Sequence, residues 1–406
     1  MMHFWHDEES TDVCTKTKFT MGTHNMSLQE LGLNQLDSAS ITLPVNPPAA
    51  VQSPSISKAE LLRELAPYAT SDTARGLKLV VQESMLYLIG LGMVLFAGPL
   101  WLKIVGSILA GFKLTSFHIL AHDAVHRSLV VNSTFNKRIA MVLAVPALHN
   151  YRLWVLDHLL WHHSKTNGEQ VDLYRPFSKA EFDALPKLRQ LLERIVRYPN
   201  VIGFALNFFV WWLMGTRVVP DKTTPASMRS SAWRHFLAIL CYHLAFAAFL
   251  CSVPHFAPVT LGQALSLGLG LPLFVFSFVM GTSLYVMHTN PRLPWFRSIG
   301  ERTGVYAPEL CASHMILPDA ISKFVMNVFA HSAHHAHPGI PVYNLLEAQK
   351  HLDKLLGHRA VAEPFSIAGT LTTMRTCKLY DFERHQWLDF AGNPTAASIR
   401  LDARGV

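Results

Sequence analysis

The sequence predicts an all-α integral membrane protein in which four transmembrane helices form two hairpins below a cytoplasmic helical cap. Three observations lead to this class. The chain has 406 residues, of which 50% are hydrophobic and only 16% are charged. The apolar residues are concentrated in long runs, whereas a soluble core would distribute them along the chain. The Lys and Arg residues fall almost entirely on one side of these runs, as they do on the cytoplasmic side of membrane proteins.

The charge of the chain indicates a membrane surface, and not nucleic acid, as its anionic partner. The formal net charge is +7 and the isoelectric point is about 9.1. Lys and Arg occur singly between apolar segments, without the basic-aromatic patches of nucleic-acid-binding proteins. Five scattered cysteines without a CxxC pair favour free thiols in a reducing compartment. They are Cys14, Cys241, Cys251, Cys311 and Cys377.

Residues 1–75 are predicted to form a polar tail, and residues 76–406 a membrane domain. The stretch "DSASITLPVNPPAAVQSPSIS" is rich in Ser and Pro, which is typical of a disordered segment. The N-terminus lacks the positive flank and apolar core of a secretory signal peptide, so we expect no cleavage. Near the end of the tail, "SKAELLRELAPY" has the pattern of a short amphipathic helix that lies on the membrane.

Four apolar runs reach the roughly 20 residues that a transmembrane helix needs. They are residues 78–98, 100–120, 233–253 and 262–287. Pro99 separates the first two runs, because proline interrupts a helix. The segment "VPHFAPVT" separates the last two in the same way. These breaks predict two hairpins.

A fifth apolar run, residues 201–215, is of borderline length, and the charges that follow it decide its placement. If it crossed the membrane, Arg217, Lys222, Arg229 and Arg234 would all lie outside. The excess of positive charge on cytoplasmic segments opposes that arrangement. We therefore expect this run to lie in the membrane interface, with both termini in the cytoplasm.

Two lysines fit this topology less easily. Lys103 lies near an external turn, and Lys113 lies inside the second apolar run. A charged side chain inside a bilayer is costly unless it reaches water or a partner. We expect the Lys113 side chain to extend toward the cytoplasm.

Three clusters of histidines share the cytoplasmic side in this topology. They are "HDAVH", "HLLWHH" and "HSAHH". Together they contain His122, His126, His158, His162, His163, His331, His334 and His335. Eight imidazoles are more than one tetrahedral zinc ion binds, so the clusters predict two metal ions. Because imidazole binds Fe, Zn, Cu and Ni, these residues alone do not choose the metal.

The spacing within each cluster suggests which histidines share an ion. On an α-helix, residues i and i+4 project from the same face. Each cluster contains one such pair: His122 with His126, His158 with His162, and His331 with His335. The adjacent His163 and His334 would point toward a second ion.

Further residues are candidates around this centre. His288 ends the fourth apolar run, emerges on the same side, and is a candidate ninth ligand. His118 precedes the first cluster by one turn and is expected to contact a ligand or to pack. Asp123 and Asp157 adjoin ligand candidates and could hydrogen bond to an imidazole, cap a helix or lie at the surface. Five isolated histidines are expected to be structural: His149, His235, His243, His255 and His314.

These motifs resemble those of the membrane fatty acid desaturases, especially the acyl-lipid omega-6 and omega-3 group. The resemblance covers residues 76 to about 391. It includes the three clusters, "HTNPRLPWF" beginning at His288, "HSAHHAHPGIPVYNLLEAQKHL", and "LYDFERHQWLDF" near the end. The second cluster departs from the group by having three residues, not two, between its first and second histidines. The surroundings of the first cluster, "AHDAVHRSL", also differ from the "HECGH" of plant members.

The resemblance implies a membrane-bound di-iron desaturase that introduces a double bond into an acyl chain with O2 and two electrons. Nine histidines, the eight of the clusters and His288, would bind two iron ions, with no catalytic residues beyond these ligands. The acyl chain would belong to a membrane lipid, to acyl-CoA or to acyl carrier protein. A ferredoxin, or a b-type cytochrome with its reductase, would donate electrons. The expected location is a bacterial inner membrane, with the active site cytoplasmic.

Other functions remain to be weighed against desaturation. The same histidine arrangement also serves hydroxylases, acetylenases and ketolases. A non-enzymatic metal transporter is the alternative from another class, but it should place polar residues at mid-membrane. The chain contains neither the Glu-x-x-His pairs of soluble di-iron proteins nor the HExxH motif of zinc proteases.

Overall fold

The computed structural model describes a largely helical protein. All of the described residues lie in one compact unit, Gln52–Val406. They are residues 56–168, 174–198, 203–205, 208, 218–222, 224–302 and 307–401. The apolar run 201–215 lies mostly outside the described residues, as does the tail up to residue 55, so the interpretations made for both stay predictions.

Four helices in the described part of the chain are long and apolar enough to cross a bilayer, which confirms the number of predicted runs. The first span is helix α2, Thr73–Phe96, and the second is α3, Leu100–Val125. We number the helices along the chain, so that Lys58–Leu65 is α1. The third span covers Ala226–His255 and the fourth covers Leu261–His288. Each span is longer than the apolar run that predicted it, because the helices continue into polar sequence.

The remaining elements connect the spans or follow them. The helices are α4 Ser133–Ala144, α5 Tyr151–Val155, a π-helical turn Leu156–His162, α6 His163–Lys165, α7 Lys179–Ala184, α8 Lys187–Val196, α9 Ala226–Ser252, α10 Leu261–Leu265, a second π-helical turn Ser266–Gly270, α11 Leu271–His288, α12 Ile299–Arg302, α13 Asp319–Phe324, α14 His331–Ala336, α15 Val342–Leu356 and α16 Ile367–Thr376. Short 3-10 turns occupy Ala66–Tyr68, Val253–His255, Pro308–Cys311 and Gly357–Arg359.

The all-α prediction needs a small correction, because two short sheets are present. Strand β1, Ser313–Ile316, pairs in parallel with β2, Val361–Pro364. Strand β3, Leu379–Asp381, pairs antiparallel with β4, Gln386–Leu388. Strands of three or four residues leave too short an alternating pattern to be detected in sequence.

Helix ends follow local sequence chemistry. The Asp72 side chain accepts a hydrogen bond from the Arg75 backbone N–H at 3.0 Å and so begins α2. The Ser57 hydroxyl does the same for α1. The predicted helix near residue 58 is therefore present. Its Leu61 and Leu65 pack in one buried cluster with Leu352 of α15, so this face of α1 is turned to the protein.

The second span is the centre of the membrane domain. In its most apolar window 72% of α3 is buried, against 17% for the third span. Glycines let its neighbours approach closely: a Cβ on Gly90 of α2 would lie 2.7 Å from the Gly106 carbonyl, and one on Gly111 would lie 2.5 Å from Val275 of α11. The second span is therefore packed closely against α2 on one side and against α11 on another.

The charged group of Lys113 is buried inside the protein, where it also lies 4.1 Å from the centre of the Phe324 ring of α13. Its ammonium group lies 2.7 Å from the Glu83 carboxylate of α2, and the two side chains are 1% and 4% exposed. Both residues lie 13 positions from the helix ends that adjoin Pro99, Leu100 and Phe96, which is about 20 Å at 1.5 Å per residue. An ion pair at one depth satisfies both charges, and sequence periodicity could not identify the partner.

Candidate metal centre

The first histidine cluster lies where the second span ends. His122 is in the last turn of α3, and His126 caps its C-terminus. Their ring centroids are 4.7 Å apart, as the i,i+4 spacing predicts. Since α3 is firmly packed within the membrane domain, it presents both imidazoles from a rigid support.

The second cluster lies on a π-helical turn, Leu156–His162, and this changes the expected pairing of its histidines. The His163 backbone N–H bonds to the His158 carbonyl, five residues earlier. In such a turn residues i and i+5 take up the relation that i and i+4 have in an α-helix. The Nε2 atoms of His158 and His163 are accordingly 3.0 Å apart, while His162 turns away.

The π turn explains how the extra residue in this cluster is accommodated. The additional residue between His158 and His162 would rotate the later histidines by one position on an α-helix. A wider turn absorbs that residue. Our expectation that His158 and His162 share an ion therefore differs from the observed grouping, because it assumed α-helical geometry.

The third cluster and the fourth span complete the centre. In α14 the Nε2 atoms of His331 and His335 are 3.0 Å apart, and His334 points elsewhere, both as predicted. His288 is the last residue of α11, and its Nε2 lies 2.9 Å from that of His331. A histidine far from the three clusters in sequence thus meets the third cluster in space.

All nine histidines fall into two groups whose nitrogens lie within 4.8 Å of one another in each group. The first group is His122, His126, His158, His163 and His334. The second group is His162, His288, His331 and His335. The two groups are adjacent: the ring centroids of His163 in the first group and His335 in the second are 5.0 Å apart. Within the described residues, both groups contain histidine only.

The donor set fits one metal ion in each group. The Nε2 atoms of His126 and His158 are 3.0 Å apart, and so are the Nε2 atoms of His163 and His334. Two nitrogens at this separation subtend roughly 90° at an ion about 2.1 Å from each. That angle suits a five- or six-coordinate ion better than tetrahedral zinc. Four or five imidazoles would leave room for an additional ligand on such an ion.

The protonation state of the clusters also suits metal binding. Burial, reinforced by neighbouring imidazoles, lowers the pKa of six histidines outside the spans well below the usual value. They are His126, His158, His163, His331, His334 and His335. A neutral imidazole has the free lone pair that a metal ion requires.

Polar side chains orient several of these imidazoles. One Asp123 carboxylate oxygen lies 3.3 Å from His122 Nδ1, and the other accepts the Val342 backbone N–H at the start of α15. Asp123 thus links the first cluster to the helix that follows the third. Of the three residues expected to support the ligands, Asp123 is the one that lies within hydrogen-bond distance of a ligand imidazole, that of His122. The Asp157 side chain lies outside the described residues.

His118 belongs to neither group. Its ring stacks on Trp154 with centroids 4.8 Å apart and lies 4.2 Å from the ring of His149. The ring centroids of Trp154 and His122 are 6.1 Å apart. His118 therefore forms part of an aromatic layer beside the first group. The other isolated histidines also lie outside both groups.

Two supporting residues were missed by the sequence analysis. The Thr166 hydroxyl lies 3.2 Å from His335 Nδ1, and it donates to the His162 carbonyl at 2.8 Å. The wholly buried Gln349 accepts the Ala333 backbone N–H of the third cluster at 2.8 Å. Thr166 stands four residues after His162, so helical spacing was a usable signal. Nothing in the sequence marked Gln349.

Comparison with known proteins supplies independent information. A family model described as fatty acid desaturase matches residues 99–364, which include both groups. The chain is 26% identical to the chloroplastic omega-6 fatty acid desaturase of Glycine max over 77% of this chain and 70% of the relative. It is 23% identical to the sn-1 oleoyl-lipid 12-desaturase of Picosynechococcus sp., over 76% and 85% respectively. A fatty acid desaturase of Bacillus subtilis is 24% identical over 70% and 76%.

Proposed function

This chain belongs to the fatty acid desaturase family, and we propose that it is a di-iron enzyme. It would use O2 to introduce a double bond into the acyl chain of a membrane lipid. The observation that carries the proposal is the pair of adjacent all-histidine groups at one end of four apolar helices. The nine histidines are proposed as the iron ligands, five in the first group and four in the second. Relatives named for acyl lipids support the lipid substrate.

The reaction has a balance that the protein must satisfy. Two hydrogens leave adjacent methylene carbons, and O2 is reduced to two molecules of water. O2 takes up four electrons in this process, of which the forming double bond supplies two. The other two electrons and two protons come from outside, so we infer an external ferredoxin or b-type cytochrome with its reductase.

Iron in the two groups would supply the O2 activation that an unreactive C–H bond demands. The residues of the chain supply the conditions for it. The two groups direct their nitrogens toward one another, and Asp123 and Thr166 contact the rings of His122 and His335. No acid or base pair is needed at the substrate, since a methylene group has no acidic proton.

We further propose that the spans form two hairpins, with the helical cap, both termini and the metal centre in the cytoplasm of a bacterial cell. The distribution of Lys and Arg supports this orientation. Topology reporters placed after residues 75, 225 and 406 should all report cytoplasm, and one near Pro258 should report the opposite side. A reporter at 225 on the outer side would make residues 201–215 a fifth span.

Lipid analysis tests the reaction itself. The chain is expressed in a bacterium with simple lipids, beside a His331→Ala variant, and the fatty acids are identified by mass spectrometry. We expect a new unsaturated acyl chain with the wild type alone. A hydroxylated, acetylenic or ketone product would show that the protein catalyses one of the other reactions known for this histidine arrangement, and not desaturation.

Metal analysis is the second test. Purified protein should contain about two irons per chain, one for each group. A single zinc ion without iron would contradict the di-iron proposal even if the protein were fully folded.

A further inference from the structure

Helix α8 exposes a row of apolar side chains, whereas a helix on a water-soluble surface turns such a row toward the protein core. Leu188 and Leu191 are 69% and 53% exposed, and Ile195 is also exposed. Their spacing of three and four residues places all three on one face of the helix. The exposed Tyr198, just after the helix, extends the same face.

The opposite face of α8 holds a buried ion pair. Arg197 and Glu193 lie 3.4 Å apart, with side chains 3% and 9% exposed. The Arg197 guanidinium also donates to the backbone carbonyls of Tyr174 and Arg175 at 3.1 and 2.9 Å. Rotating the helix to bury its leucines would expose this network and break these bonds. The apolar face is therefore held outward.

The packing of α8 sets its depth relative to the spans. Val196, in its last turn, belongs to one buried cluster with Tyr285, Val286 and Met287. These three residues form the last turn of the fourth span, directly before His288. The helix thus ends beside the last turn of the fourth span, where the metal centre begins.

We propose that the outward face of α8 lies in the interfacial layer of the bilayer, in the leaflet next to the histidine groups, with lipid acyl chains against its leucines. The basic Lys187 and Arg189 are exposed at the start of the helix and match anionic headgroups, and Arg189 also pairs with Glu193 at 3.0 Å. Tyr198 at its end is a residue type that is frequent at this depth. The outward face of α8 therefore contacts lipid. Contact with another protein chain is the experimental result that would contradict this.

This placement has a structural consequence for the centre. Helix α8 follows the second histidine cluster in the chain and is tied through Val196 to the span that ends at His288. An interfacial anchor at this point would hold the metal centre at a constant height above the acyl chains. The inference requires only that the spans lie in a membrane, so it is independent of the metal and of the reaction proposed above.

Spin-label accessibility in liposomes that contain only the purified full-length protein tests the inference. Labels are attached to single cysteines at Leu188, Leu191 and Ile195. The background lacks Cys14, Cys241 and Cys251, while the two remaining cysteines are buried. A label at exposed Leu244 in the third span is the bilayer reference, and one at Glu383, whose side chain is 83% exposed, is the aqueous reference.

The three α8 labels should collide more with O2 and less with a water-soluble nickel complex than the Glu383 label does. Nickel collisions at Leu191 equal to those at Glu383 would show a water-exposed face and overturn the inference. Shielding from both O2 and nickel would also overturn it, because it would show contact with another protein chain, such as a second copy.

A charge variant sharpens the test. Leu191→Glu places a carboxylate on the apolar face without touching the buried ion pair. It should shift a label at Ile195 toward the aqueous reference in liposomes that contain anionic phospholipid. Ala184→Glu adds the same charge at an exposed site on α7, away from this face, and should leave that label unchanged. Equal shifts in the two variants would contradict a specific role of the face.

Discussion

The two histidine groups differ in burial and in the elements that support them. In the first group His334 is fully buried and the other four are half-buried, whereas in the second His162 is half-buried and the other three are fully buried. The first group takes histidines from all three sequence clusters. The second takes them from two clusters and from the end of the fourth span. One group thus depends on α3 and the other on α11.

The two groups share the second and third sequence clusters. The second cluster gives His158 and His163 to the first group and His162 to the second. The third cluster likewise gives His334 to one group and His331 and His335 to the other. A change in a shared cluster should therefore damage both groups, while a change in α3 or α11 should damage one.

The largest effect is expected from a change that removes one ligand of each group. The double variant His162→Ala, His163→Ala should lose nearly all of its iron and all detectable desaturation, because each group loses an imidazole. Membrane insertion should persist, since it depends on the apolar spans. Elemental analysis and fatty acid profiling measure the two losses. The exposed His255→Ala is the control and should behave as wild type.

His288→Gln should affect the second group alone. An amide is a poor metal donor compared with imidazole, so we expect about one iron per chain to remain and most activity to be lost. His243→Gln, in the third span, is the matched control and should tolerate the change, because His243 lies outside both groups and hydrogen bonds to the backbone of Ile239 and Pro146. Full iron and activity in His288→Gln would limit the centre to eight histidines.

The π turn can be tested by deletion. Removing Leu159 leaves His158 and His163 four positions apart, the spacing that an α-helical turn accommodates. We expect reduced but measurable activity and iron in both groups. Deletion of Ala333 from α-helical α14 should abolish both, since no wider turn is there to relax. Equal inactivity of the two deletions, with both proteins inserted, would mean that the π turn has no compensating role.

The smallest effects should come from the polar residues behind the ligands, and they should again separate the groups. Asp123→Asn should weaken iron binding in the first group by about 10- to 100-fold, because the carboxylate orients His122 and strengthens it as a donor. Thr166→Val should weaken the second group less, since a neutral hydroxyl supports His335. Iron titration followed spectroscopically measures both affinities. Reversed effects would contradict the assignment of these partners.

Much of the architecture could be predicted because it depends on local pattern. Four apolar runs predicted four spans, and Pro99 predicted the break between the first two, since hydropathy and proline act over neighbouring residues. The ends of the spans were less well predicted. Helix α3 continues to Val125 because backbone hydrogen bonding does not stop where the apolar sequence does. The nine histidines were also all identifiable as candidates from their spacing and position.

The grouping of those histidines depends on how separate helices pack. The periodicity of an α-helix paired His158 with His162, and the π turn pairs His158 with His163 instead. The partner of Lys113 is Glu83, which is 30 positions away and unmarked by any motif. Gln349 reaches the third cluster from another helix in the same way. Such contacts depend on how separate helices pack, and a sequence pattern records only the geometry within one element.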